Sequence, residues 1–529
     1  MTSAFAGTRP LLRVSLKQDV RNIVPWILLI SALSATSILA YAWIFPGIEE
    51  RRTLAATLGA NPALSLIFGP ARDLLTADGF NSWRAGQLGA LFAGIMAILI
   101  VVRNSRADED SGQAELVASG VLGRWSRLTV AIGMAALASV ALGVVSFLIT
   151  LAVGGGAAAT LTLAATFTAS GLVFGAVAAV TAQLGSDARA SSGLAIAFLG
   201  ICFALRGYLD AGGAPDWTRW LTPPGWLELT EPATANNGWP LLVALASAVL
   251  GALAAFALQS RRDFGQGLIG PGPGPARGGV VTSVWGLALR LNRPTLVWWW
   301  IGLTALGAVF GSLASSMGDL VAHNPAMAQV FASGGAGATT LTLAFLATIL
   351  QIIAIVAAIM GVQVILRIYT EETDHRVEPL LAGSLRRPVY LSSNIAVALG
   401  GTAFGMILAG VAMGLVAHTS AGVAFGSVLR QSVATIPAVW LLVAIAVAAV
   451  GAAPRIRLVG WAGVVATFAL TLLGPTFRLP DWALGLSPLH HVPVVTRTSP
   501  DWGGLGVVGV VTVMLLAAGL VGYRRRDLR

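Results

Sequence analysis

Twelve long runs of apolar residues dominate this sequence, and they leave few folds open to it. The first six are residues 23–45, 86–102, 128–151, 161–184, 193–208 and 240–258, followed by 296–313, 340–366, 392–417, 431–453, 459–473 and 503–521. Each is near the ~20 residues a helix needs to cross a bilayer, where every backbone polar group must be satisfied internally. Only 11% of residues are charged, against roughly 25% in soluble domains. The expected fold is an all-α integral membrane bundle of twelve transmembrane helices. The first run carries a small-x-small triplet, Ala40-Tyr41-Ala42, but is too long for the core of a cleaved signal. It is expected to remain as the first span.

The runs form two sets of six, because the chain repeats itself after 263 to 265 positions. Asn61-Pro62-Ala63-Leu64 returns as Asn324-Pro325-Ala326-Met327, and Pro215-Asp216-Trp217 as Pro480-Asp481-Trp482. Leu221-Thr222-Pro223 returns as Leu486-Ser487-Pro488, and Arg261-Arg262-Asp263 as Arg525-Arg526-Asp527. These matches fall mostly outside the apolar runs, where lipid does not force residues to agree. They indicate a tandem duplication working about the interface of two halves. The halves are residues 1–264 and 280–529, joined at 265–279 by GQGLIGPGPGPARGG, a linker whose alternating Gly and Pro hold no helix.

The net charge of +10 would suggest an acidic partner in a soluble protein. Here its placement gives topology. With a cytoplasmic N-terminus, the inner loops hold 24 of the 33 basic residues and the outer side nine, which puts both termini inside. Leu11–Arg21 and Val284–Arg293 read as cationic amphipathic stretches that lie along the inner surface before the chain turns into the bilayer. The loop after the first span is expected to hold short helices at Arg51–Leu58 and Asn61–Phe68.

Two inner loops carry the densest charge. One reads Arg103-Asn104-Ser105-Arg106-Ala107-Asp108-Glu109-Asp110, then Glu115-Leu116-Val117-Ala118-Ser119-Gly120 and Arg124. The other reads Glu371-Glu372-Thr373-Asp374-His375-Arg376-Val377-Glu378-Pro379-Leu380-Leu381-Ala382-Gly383, then Arg386-Arg387. Glu115 aligns with Glu378 and Gly120 with Gly383. Acids opening a short amphipathic helix, with arginine past its end, suit the helix dipole. The plainer reading is a pair of solvated loops. Three consecutive acids, Asp108 to Asp110, point in different directions on a helix and make a poor divalent site.

The same segments resemble the coupling helices of ABC-2 type transporter permeases, in the loop that faces the ATPase. The fused double-length form is similar to actinobacterial exporter permeases of the tetronasin or multidrug type. Pro379 departs from the pattern, standing where the first copy has Leu116. The resemblance implies a bacterial plasma-membrane exporter of hydrophobic or amphiphilic drugs, driven by two copies of a separate ATPase that binds ATP and Mg. It assigns ATPase coupling to Asp108, Glu109, Glu115, Leu116 and Arg124, and to Glu371, Glu372, Glu378, Leu380 and Arg387.

The remaining residues narrow the chemistry. Lys17 is the only lysine and lacks a Walker A context, so no ATPase site is expected in this chain, nor any cofactor. No Asp or Glu falls inside an apolar run, whereas proton-coupled carriers generally place an ionisable group there. Arg206 and Arg430 lie near outer ends, where they can snorkel to water. Helices five and eleven read as short and interrupted, ending in Arg206-Gly207-Tyr208 and Gly474-Pro475, each followed by a Pro-containing outer re-entrant hairpin. A tilted helix edge is the alternative. Trp26, Tyr41, Trp43 and Trp298 to Trp300 fit interfacial anchors. Phe92, Phe198, Phe203, Trp461 and Phe468 lie deeper, as candidate pathway residues, and either a cavity or lipid fits them. His490-His491 has no nearby acidic or thiol partner and reads as loop. The single cysteine, Cys202, excludes an intrachain disulfide. No nucleic-acid partner is expected. A proton-driven antiporter of six-plus-six helices and a non-transporting scaffold are the alternatives.

Overall fold

The computed structural model describes all residues except 1–3, 60–61, 113–122, 264, 271–282, 323–337, 474–479, 496–499 and 527–529. The described chain is helical, with no strand, and divides into two compact units, Met1–Gly274 and Pro275–Arg529.

In the first unit, α1 (Thr8–Ile44) is followed by the short α2 (Ile48–Gly59) and α3 (Pro62–Phe68). These two occupy the loop stretch expected to be helical. Next come α4 (Ala77–Val102), α5 (Ser126–Ala152), α6 (Ala157–Leu184) and α7 (Ala188–Ala211). A 3₁₀ turn (Asp216–Leu221) leads into α8 (Pro223–Glu228), and α9 (Trp239–Gln259) ends the unit. The second unit comprises α10 (Val284–Ala322), α11 (Ala338–Thr373), α12 (Glu378–Leu381), α13 (Arg387–Ala421), α14 (Phe425–Ala452), α15 (Val459–Phe468), α16 (Asp481–Leu484) and α17 (Gly503–Arg525).

Eleven helices among the described residues are long and apolar enough to cross a membrane, against the twelve expected. The run 459–473 is the one that falls short, forming α15 and then a π turn at Ala469–Leu473. The expected shortness of helix five is corrected. Its α-helical hydrogen bonding continues beyond the apolar run, so α7 spans 24 residues. The surface stretches also differ from expectation, since α1 and α10 run from their cationic starts into the spans as single helices that contain Pro25 and Pro294.

Burial orders each unit. In the first, α4 packs on α6, α1 on α5, and α9 on α6; in the second, α11 packs on α14, α10 on α13, and α17 on α14. Phe167 and Phe174 of α6 and Met96 and Ile98 of α4 are wholly enclosed. On α9 and α17, by contrast, Leu250, Leu253, Val510 and Val513 are more than half exposed. A row of this kind is stable only against lipid or another apolar surface. Buried polar side chains bond inside the bundles. Asn81 Nδ2 and Thr150 Oγ1 both donate to Ser34 Oγ, at 3.0 and 2.9 Å, and Ser170 Oγ donates to the Ala90 carbonyl at 2.5 Å. Such bonds link helices where the hydrophobic effect cannot.

Close backbone approach joins α14 to α17. A Cβ on Gly451 would lie 2.2 Å from the Gly519 carbonyl oxygen, so Gly451→Ala must push the helices apart. An overpacking cost of about 1–3 kcal/mol is expected, read as a lower melting temperature in detergent. Gly506→Ala, on open space in α17, serves as the neutral control.

Candidate functional site

Each unit carries an acid–arginine clamp at the end of the bundle where its first span begins, called here the near end. In the first unit α4 does not stop at Val102. It continues through a π turn (Arg103–Ala107) into Asp108–Asp110. Glu109 thereby sits at the close of the second span and not at the opening of a new helix. Glu371 and Glu372 likewise occupy the last turn of α11. Both corrections place acids at the helix end that the dipole disfavours. Neighbouring arginines offset that cost.

Arg262, just past α9, makes a two-pronged contact with Glu109: Nη2 to Oε1 at 2.7 Å and Nη1 to Oε2 at 2.9 Å. Arg106 Nη1 adds 2.6 Å to Oε2, and Arg127 Nη1 stands 3.7 Å from Oε1. The Arg106 side chain is fully enclosed, and its Nη2 donates to the carbonyls of Gly185 and Ser186, both at 2.9 Å, where α6 ends. Arg262 Nε donates to Gln183 Oε1 at 2.6 Å. One carboxylate thus gathers α4, α5, α6 and the chain after α9. Close by, Asp19 of α1 accepts from Arg103 Nε at 2.9 Å and Asn104 Nδ2 at 2.6 Å. Asp110 accepts from the Ala188 amide at 2.6 Å. Asp187 caps α7 through the Ala190 amide, which holds its carboxyl below the usual range. Residues 265–270 lie against this end too, since the Leu268 and Ile269 amides donate to the Gln183 and Leu184 carbonyls.

The second unit builds its clamp on the same plan. Arg526, after α17, places Nη2 2.7 and 2.6 Å from the two oxygens of Glu372, and Arg387 Nη1 donates to the Arg526 carbonyl at 2.9 Å. Glu371 accepts from Tyr390 OH at 2.7 Å and Arg367 Nε at 2.8 Å. Beside each clamp is a cleft. The first, of about 240 Å³, is lined by Glu109, Arg124, Arg127 and Arg262. The second, of about 870 Å³, is lined by Glu372, Glu378, Leu381, Arg386, Arg387 and Arg524.

The candidate coupling residues therefore separate into two groups. Glu109 and Glu372 are buried in ion pairs, while Asp108 is half-buried within reach of Arg127. Arg124 is exposed and donates to the Ser260 carbonyl at 2.7 Å. Glu378 is exposed at the first turn of α12, paired with His375 Nδ1 at 2.7 Å, with Pro379 in that same turn and Leu380 packed on the core. Glu115 and Leu116 lie outside the described residues. Arg262 and Arg526, the partners at the centre of each clamp, were visible in sequence only as a duplicated Arg-Arg-Asp.

The pathway candidates take varied positions. Phe92 packs against the first unit's core and Trp461 against the second's. Phe198 is 44% exposed on α7 with its ring against Phe174, Phe203 lies under the Arg206 guanidinium at 4.8 Å, and Phe468 is 46% exposed. Arg206 corrects the snorkelling expectation, because it is 1% exposed and salt-bridged. His491 Nε2 bonds the Gly485 carbonyl at 2.7 Å, and the described residues contain no cluster of metal-ligating side chains.

Polytopic helices with lipid-suited faces and clefts at charged helix ends are the construction of a membrane permease. A family model described as multidrug efflux system permease Rv1217c, C-terminal domain, matches residues 27–258 and again 281–524. The multidrug efflux system permease protein Rv1217c of Mycobacterium tuberculosis is 38% identical over 536 residues, covering 100% of this chain and 96% of the relative. The chain belongs to this family of multi-pass efflux permeases.

Proposed function

We propose that the chain is the transmembrane subunit of an ATP-driven ABC-2 type exporter that removes hydrophobic or amphiphilic drugs. The observation that carries this reading is the paired construction of the near ends. Two units each bury an acid of the second span against an arginine after the last span, beside a cleft. The spacing is nearly the same, 153 residues from Glu109 to Arg262 and 154 from Glu372 to Arg526. One family model aligning to both stretches supports a tandem duplication, with halves at 1–264 and 280–529 about the 265–279 linker. A duplicated docking face suits two copies of one ATPase, which would hold the ATP and Mg.

In this reading the near ends are cytoplasmic, with both termini inside, as the basic residues favour. Glu115, Leu116, Arg124, Glu378 and Leu380 meet the ATPase, while Glu109, Glu372 and Arg387 transmit its movement as rigid clamps. The exposed Glu378 of α12 and His375 in the turn before it are accessible to a partner, and the clamp behind them joins that surface to several spans. Phe92, Phe198, Phe203, Trp461 and Phe468 remain the proposed apolar pathway.

One observation favours the alternative, a proton-coupled antiporter: Asp210 and Glu228 are buried acids at the opposite end of the first unit. Purification of the tagged chain from its native host, followed by mass spectrometry and flux assays in vesicles, separates the two. A P-loop companion at about two per chain and ATP-dependent flux are expected. Flux by the chain alone, driven by a proton gradient without ATP, would overturn the exporter reading.

A further inference from the structure

At the far end of the first unit, remote from the clamp, a second group of charges is buried. Arg206 of α7 places Nη1 3.1 Å from Asp210 Oδ2, one turn along, and 3.9 Å from Glu228 Oε2 at the end of α8. Arg219, in the 3₁₀ turn, places Nε 3.0 Å from Glu228 Oε1 and 3.7 Å from Asp210 Oδ1. Two carboxyls therefore share two arginines. From the loop after α3, Arg72 approaches Glu228 Oε1 at 3.3 Å, but it is also paired with Glu231. Arg219 is likewise paired with the exposed Asp216 at 2.8 Å, and Asp73 turns back to cap its own loop through Leu75 and Thr76. The cations around the two carboxyls are thus not in surplus.

This cluster joins separate elements. Arg206 also donates to the Ser65 and Ile67 carbonyls of α3, at 3.4 and 3.3 Å. Gly207 brings α3 onto α7, since a Cβ there would lie 2.2 Å from the Leu66 carbonyl oxygen. The side chains of Asp210 and Glu228 are 3% and 7% exposed, yet Glu228 Oε2 is buried with no hydrogen-bond partner. An ionised oxygen in that position costs free energy.

We propose that Asp210 and Glu228 together bind one exchangeable proton, and that this proton locks the α8 hairpin against α3 and α7. Adjacent buried carboxyls do not both ionise cheaply, and one proton converts their repulsion into a hydrogen bond. Burial pushes the Glu228 carboxyl up to about 7, the neighbouring Asp210 adds to the rise, and Arg206 and Arg219 oppose it. The folded lock holds its proton more tightly than the opened segment, where the carboxyl returns to roughly 4.3. Its stabilisation is therefore complete below that lower value and is lost as pH rises through about 7. Acid tightens the lock; alkali loosens it.

The test is hydrogen–deuterium exchange of the full chain in nanodiscs, corrected for intrinsic exchange rates, at about pH 6 and about pH 8. Amides of residues 62–73 and 216–231 are expected to open roughly tenfold more readily at the higher pH. Glu228→Gln, which keeps a neutral side chain, should abolish that difference and stay at the protected level; Glu231→Gln should retain it. An equal pH response in wild type and Glu228→Gln overturns the proposal. Should Glu228→Gln fail to fold, infrared spectroscopy of the wild-type chain reads the proton directly. A buried protonated-carboxyl band present at about pH 6 and lost by about pH 8 supports the lock, and its absence at the lower pH refutes it. Neither readout depends on the ATPase or on any drug.

Discussion

Glu109→Ala is expected to destabilise the near end of the first unit by about 3–5 kcal/mol, the range for removing one partner of a buried ion pair. The variant leaves Arg106 and Arg262 enclosed without their carboxylate, and each guanidinium then bears a desolvation cost with only neutral acceptors to offset it. Arg106 keeps the Gly185 and Ser186 carbonyls, and Arg262 keeps Gln183, so the end should loosen without the whole unit unfolding. A fall in melting temperature, with faster amide exchange at residues 103–110 and 183–190, is the measurement. Arg262→Ala in the same background should cost less than the sum of the single changes, by about 0.5–3 kcal/mol, because it removes one of the stranded charges. A Glu109→Ala melting curve that overlies the wild type would show that the clamp carries no stability.

Arg206→Met should have a comparable effect at the far end, about 3–5 kcal/mol at high pH. Methionine fills much of the volume but supplies no charge, leaving Asp210 and Glu228 with Arg219 and the shared Arg72 and removing the Arg206 hydrogen bonds to the Ser65 and Ile67 carbonyls. The sign of its pH dependence follows from the charges. Loss of a cation raises the Glu228 carboxyl further above its ordinary value, so the penalty for ionising it grows as pH rises. Melting temperatures taken at about pH 5 and about pH 8 should show a larger deficit at the higher value. An equal deficit at both would mean that Arg206 acts through its contacts to α3 rather than through the carboxyls.

The location of the near-end charges was legible in the chain, though their pairing was not. The duplicated acids marked the right region, and Glu378 with Pro379 does open a short helix. That Glu109 closes the second span and Glu372 sits in the last turn of α11, where a helix start was expected, was hidden for a local reason. Charge pattern reveals where acids are, but a π turn that carries α4 past Val102 leaves no periodic trace. The far-end cluster was harder still. Arg206 and Asp210 lie on one helix, but Arg72, Arg219 and Glu228 come from loops and a hairpin, and only tertiary contact shows that they meet.

Hydropathy alone determined that the chain spans a membrane as helices, because a bilayer admits no other way to satisfy a backbone made of such apolar runs. It also marked most of the spans. Which charged groups are buried, and with whom, was decided by the fold: a side chain's solvation depends on the neighbours packed around it, and those are set by helix contacts far apart in sequence. Arg206 is the clearest case, placed by its position at a boundary with water and by its packing in the protein interior.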